Sequence, residues 1–155
     1  MNYDRVVSAV LASTSLSAAD DPILELLCPA NMVIDVIRVE IGPSEGAAPV
    51  DEIQEIALWM GTVVGSGGGS ATERIVRGSG TIGGVVATNV TTIGTGNAWY
   101  NTAYHTQNGW LYAPIPQAMP MLRSGGDDVF AVFFPVAPDA AMVISTTIVW
   151  GEYGG

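Results

Sequence analysis

The chain contains no lysine. Its basic residues are five arginines, at positions 5, 38, 74, 77 and 123, set against fifteen carboxylates for a formal charge of −10. A nucleic-acid backbone is therefore excluded as a partner, because gripping it takes a cationic stripe that this composition cannot assemble. The same arithmetic argues against an anionic membrane surface. No run approaches the roughly 18 apolar residues of a membrane span, and no repeat of roughly 20–50 residues is visible.

Cysteine and histidine are nearly absent. The one cysteine, Cys28, has no partner for an intramolecular disulfide and ends the apolar run Ile23-Leu24-Glu25-Leu26-Leu27, so it reads as a buried, inert thiol. The one histidine, His105, lies among Tyr104, Thr106, Gln107 and Asn108, which look like a polar strand end. A base or zinc site there would have to be completed by carboxylates or by distant Cys28. An enzyme of the cupin type needs a histidine cluster that this chain lacks. The glycine run Gly65 to Ser70 has no lysine to make it a phosphate loop and reads as a strand connection. Asp127-Asp128 follow two glycines without the spacing of a calcium loop, and read as turn residues. Nothing asks for a metal or an organic cofactor, and the protein is expected not to be an enzyme.

Charge of either sign is scarce as well: 13% of residues are charged while 48% are hydrophobic. Such a chain is not disordered, and its shortage of solvating charge hints at surface covered by other subunits. Its 155 residues and 16.1 kDa suit one domain over 1–155, large enough to bury roughly 70% of its unfolded surface. Val6 to Ala12 with Ser17-Ala18-Ala19 resembles a weak secretion signal, but Asp4 occupies the region that should be cationic. We read about 1–20 as a first strand or arm instead.

What is plentiful is β-strand chemistry punctuated by 19 Gly and 9 Pro. Strands are expected at Arg5–Ala12, Ile23–Cys28, Met32–Ile41, Ile53–Val64, Glu73–Arg77, Gly84–Thr92, Trp99–Tyr104 with a continuation at Trp110–Tyr112, Asp128–Phe134 and Ala141–Trp150. The stretch Pro49 to Met60 also fits a helix start, and strand is preferred because the apolar run continues through Val64. In the last strand Met142, Ile144, Ile148 and Trp150 fall on one face, and Ser145, Thr147 and Gly151 on the other. Pro135-Val136-Ala137-Pro138-Asp139 reads as the turn of a hairpin between the last two strands. Pro114, Pro116 and Pro120 should keep their segment extended and outside any sheet interior. The fold class is all-β, a jelly-roll-like antiparallel sandwich of about eight strands.

The residues from Gly109 to Tyr153 carry a resemblance. An aromatic strand running into Tyr112-Ala113-Pro114-Ile115-Pro116, a glycine turn, an apolar strand, Pro135-Val136-Ala137-Pro138-Asp139-Ala140 and a last strand ending Trp150-Gly151-Glu152-Tyr153 resembles the small jelly-roll decoration (cement) proteins of tailed-bacteriophage heads. Upstream, Leu24-Glu25-Leu26-Leu27 and Asn31 to Gly42 resemble that family's second and third strands. Glu73 to Gly84 does not align, and Met119-Pro120-Met121 stands where charged residues are expected. The resemblance implies a structural virion protein, made in the host cytoplasm, that binds the major capsid protein on the capsid exterior as a homotrimer. Trp110, Tyr112, Met119, Met121 and Leu122 are the candidates for a subunit or capsid contact, since so apolar a non-sheet segment calls for a cover. They could equally cap one open end of the sandwich. The rival reading is a glycan-binding or adhesion module of a fibre or cell surface, with Trp59, Trp99, Trp110 and Trp150 as stacking platforms.

Overall fold

The computed structural model describes residues 2–16, 22–44, 51–62, 65–88, 90, 94–139 and 141–154, without the side chains of 13–16. In these residues the chain is all-β. Its strands are β1 (Arg5–Leu16), β2 (Pro22–Leu27), β3 (Met32–Pro43), β4 (Ile53–Gly61), β5 (Gly69–Ser70), β6 (Glu73–Gly78), β7 (Val85–Thr88), β8 (Gly96–His105), β9 (Trp110–Tyr112), β10 (Met121–Arg123), β11 (Val129–Phe133) and β12 (Met142–Gly154). One 3₁₀ turn, Pro116–Ala118, lies between β9 and β10. The ambiguous stretch before Met60 is strand from Ile53, and the expected strands that fall on residues 63–64, 89 and 91–92 run there outside the described residues.

The pairing is nested. β1 pairs with β12, β2 with β11, β3 with β9 and β10, and β4 with β8, every ladder antiparallel. Such a series is one long hairpin, and rolling it up adds the β12–β3 and β11–β4 ladders. The result is two sheets, β10-β3-β12-β1-β6 with β9 also on β3, and β5-β7-β2-β11-β4-β8. That is the jelly-roll arrangement of a β-sandwich. The insert β5–β7 widens both sheets on one flank, tied across by the Val86 amide donating to Glu73 Oε1 at 2.9 Å.

Between the sheets lies one core, filled by alternate residues of the paired strands: Val7, Ala9 and Leu11 of β1, Ile34, Val36, Val39 and Ile41 of β3, Ile56 and Leu58 of β4, and Met142, Ile144, Ile148 and Trp150 of β12. The face expected of β12 is the buried one. A second cluster, Ala57, Trp59, Val129, Ala131 and Phe133, buries the opposite face of β4 and β11. Every residue of β11 is therefore buried, which is why Val129–Phe133 reads as a continuous apolar run instead of an alternation.

The hairpin expected between the last two strands does not form. β11 sits between β2 and β4 in one sheet, and β12 between β1 and β3 in the other. Both edges of each strand are occupied, so the Pro135–Asp139 segment is an arch from sheet to sheet. The proline segment stays outside the sheet interiors, as expected, but is not extended throughout: Pro116–Ala118 is a 3₁₀ turn, after which Pro120 O accepts the Val36 amide at 2.9 Å and β10 joins the edge of the first sheet beside β3.

Candidate functional site

The surface with most to offer is the flank where the edge strands of the two sheets meet. β8 forms at the edge of the second sheet because Trp99, Tyr100, Thr102 and Tyr104, aromatic or β-branched, favour extended backbone beside β4. It ends in a tight turn, with the Asn108 amide donating to His105 O at 2.9 Å and Gly109 at φ +73°. A Cβ at Gly109 would sit 2.7 Å from Ile41 O, so glycine is required for β9 to reach β3. Beyond β9, Pro116 starts the 3₁₀ turn, closed by the Ala118 amide donating to Ile115 O at 2.9 Å.

Aromatic rings bind the two edges together. Tyr112 of β9 lies 6.1 Å from Trp99 and 5.6 Å from Tyr100 of β8, and stacks on Trp110 at 6.1 Å and 17°. Burial, and then the neighbouring Tyr100, push the Tyr112 phenol up to about 12, so it stays neutral. On the outer face of the first sheet, Tyr3 crosses Gly151, packs tilted against Tyr153 with ring centroids 4.9 Å apart, and donates to Met119 Sδ at 3.5 Å. Tyr153 in turn donates to the buried Asp35 at 3.1 Å. Together these contacts fasten the chain's first residues to the proline segment.

The five contact candidates divide by burial. Leu122 is fully buried in the core and Tyr112 is buried in the same cluster. Trp110 and Met119 are half-buried, and Met121 is exposed. The contact candidates left out the two residues that project furthest here, Leu111 at 58% and Ile115 at 67% exposed, and also Tyr100 at 37%; Trp99, at 43%, entered only as a stacking platform. Alternation could have shown Leu111, since it stands between the inward-facing Trp110 and Tyr112. The exposure of Trp99 follows from a bulge opposite Leu58 and Trp59, and no sequence signal announces it.

Elsewhere, polar groups are committed to holding the fold. Buried Glu152 accepts from Arg5 Nε, the Gly84 amide at 2.8 Å, the Gly83 amide at 3.3 Å and Trp150 Nε1 at 2.9 Å. Arg5 also donates to Gly154 O at 2.7 Å, and it lines a hollow of about 400 Å³ with Gly80 and Thr81. His105 pairs with Asp51 at 3.0 Å. Cys28 is buried with its thiol 3.3 Å from Met32 O, and burial pushes its pKa up. Asp127 is exposed and Asp128 half-buried, and among the described residues no group of three or more Asp, Glu, His or Cys gathers as metal ligands would. A shallow hollow of about 400 Å³ on the outer face of the first sheet is lined by Glu40, Asn108, Trp110, Leu111, Ser145 and Thr147.

No family model matches the chain, and no curated protein is significantly similar to it. Among solved structures the likeness is faint, as two of them show. One, of the Gx strain of infectious bursal disease virus, is 13% identical with a TM-score of 0.21, covering 97% of this chain and 41% of the other. The second, of T=1 particles derived from infectious bursal virus, is 12% identical with a TM-score of 0.20, covering 99% and 42%. This chain thus spans about two fifths of the length of either. Overlap so slight assigns neither family nor role, and the fold rests on the strand pairing above.

Proposed function

We propose that the chain is a structural, non-enzymatic virion subunit: a decoration protein of a tailed-phage head that binds the major capsid protein on the outer surface and assembles with copies of itself. The observation that carries this reading is the flank. Trp99, Tyr100, Leu111, Ile115 and Met121 are half of the ten exposed large hydrophobic residues among the described residues, and they gather at one seam of the sandwich, where burial against a partner stabilises by roughly 25 cal/mol per Å². A charge of −10 suits the side of a shell facing away from packaged nucleic acid. Many copies, each bridging shell subunits, would resist internal pressure by contact area alone.

The test is co-sedimentation with expanded empty heads of the phage that encodes the chain. Wild-type protein should pellet with the heads in stoichiometric amount, and Ile115→Asp with Met121→Asp should stay in the supernatant. Val76→Asp, on the opposite flank, should pellet as wild type. Failure of the wild type to bind heads overturns the reading. The hollow beside Trp110, with Glu40, Asn108, Ser145 and Thr147 around it, supports the second reading, a glycan-binding module. A glycan-array signal that disappears with Trp110→Ala would favour it.

A further inference from the structure

The two sheets have four outer edges, and three are blunted. β6 carries the exposed Arg74 and Arg77 and a register shift against β1. β5 is only two residues long. β9 and β10 are three residues each, separated by Pro114, Pro116 and Pro120. These are the devices by which proteins stop sheet edges from pairing with other chains.

The fourth edge has almost none of them. β8 is ten residues long, Gly96 to His105, with no Asp, Glu, Lys, Arg or Pro, and among the described residues β4 is its only ladder partner. Its bulge lies at Trp99, so Tyr100 to His105 is a regular strand whose outer edge has no ladder partner among the described residues, with His105 O alone taken up by the Asn108 amide of the following turn. From Gly96 to Asn101 every residue is exposed.

Charge placement says what fits there. From Arg74 to Gly126 the chain has no Asp or Glu, and all fifteen carboxylates lie outside that stretch. Two copies that each carry −10 repel over most of their surfaces. Along β8 they repel least: the strand itself carries no carboxylate to set against its copy, and the nearest ones stand a strand away, Glu55 on β4 opposite Ala103, or are paired, as Asp51 is with His105. A second copy is thus the occupant whose charge, backbone pattern and side chains match this edge.

We infer that β8 is a self-pairing edge: two copies join their β8 strands antiparallel about a two-fold axis, making one continuous sheet across the pair. This rests on reading the flank as a contact surface. It also alters the expected assembly, because an edge that pairs with itself closes at two copies and the unit built is a pair, not a trimer.

Two charge variants at exposed positions test it, Asn101→Asp with Ala103→Asp, and Asn101→Arg with Ala103→Arg, each followed by sedimentation velocity over a concentration series. The wild type should form dimers. Either variant alone should dimerise more weakly by on the order of 100-fold, because like charges meet across the axis. Mixing the two variants should restore dimers containing one of each. Amide hydrogen exchange on the wild type gives a second reading that no variant can spoil by misfolding: protection in Tyr100 to His105 should rise with concentration. A wild type that stays monomeric, a trimer, or dimers indifferent to these substitutions overturns the inference. A monomer that still binds heads sinks the edge and leaves the structural reading standing; a β8-dependent dimer that ignores heads does the reverse.

Discussion

Glu152 is fully buried and takes hydrogen bonds from an arginine, two backbone amides and an indole. Removing it would leave Arg5 as an uncompensated buried cation, so Glu152→Ala should cost about 3–5 kcal/mol in denaturant unfolding; a loss of less than about 1 kcal/mol would show the pair to be effectively solvated. Its burial was legible in principle, because Glu152 shares the even-numbered face of Met142, Ile148 and Trp150. Gln54, the one polar member of the set Gln54, Ile56, Leu58 and Met60, is buried with its amide donating to Val136 O at 2.7 Å. Glu25 sits on the opposite face of its strand from Leu24 and Leu26, yet it is buried too, accepting the Gly65 amide at 2.9 Å. Burial raises its pKa, so the native chain holds that proton more tightly than the unfolded chain. The associated stability is full below the ordinary glutamate range and is lost as pH rises through the raised folded value. Urea unfolding of wild type and Glu25→Gln from about pH 4 to about pH 8 should therefore show the wild type losing ground to the variant as pH rises. Parallel curves would contradict the assignment.

Elements were easier to read than their partners. Composition and turn residues placed most of the strands, since β-branched and aromatic runs between Gly and Pro clusters record local preference directly. They did not say which sheet each strand joins, and so Pro135–Asp139 read as a hairpin turn where it is an arch. Nor did they reveal β10, whose three residues are strand only because β3 is beside them. Gly151 shows a similar tertiary dependence: an added methyl would meet the Tyr3 ring at 2.2 Å. Gly151→Ala should cost about 1–3 kcal/mol by displacing Tyr3 from Tyr153 and Met119. The double variant with Tyr3→Ala should lose clearly less than the sum of the two single losses, because the ring that clashes is gone. Additive losses would place the strain elsewhere.

Across the whole molecule, carboxylates occupy the two ends of the chain, and the middle, from Arg74 to Gly126, carries none. Folding puts the carboxylate-free strands β8 to β10 on one flank. The seam is where copies of so acidic a protein can approach, and screening their net repulsion should tighten pairing as salt rises. Sedimentation of the wild type from low to moderate salt checks the sign; dimers that dissociate with salt would point to ion pairs instead. Why the flank is exposed was not legible in the chain, since exposure there depends on which strands end the sheets. The central claim is that this flank is a contact surface on the outside of a shell. A cryo-EM reconstruction of the intact particle tests it most directly. The account predicts the chain on the outer surface in stoichiometric amount, with Leu111, Ile115 and Met121 covered by a neighbouring subunit. A particle without the chain, or one in which these residues face solvent, would contradict it.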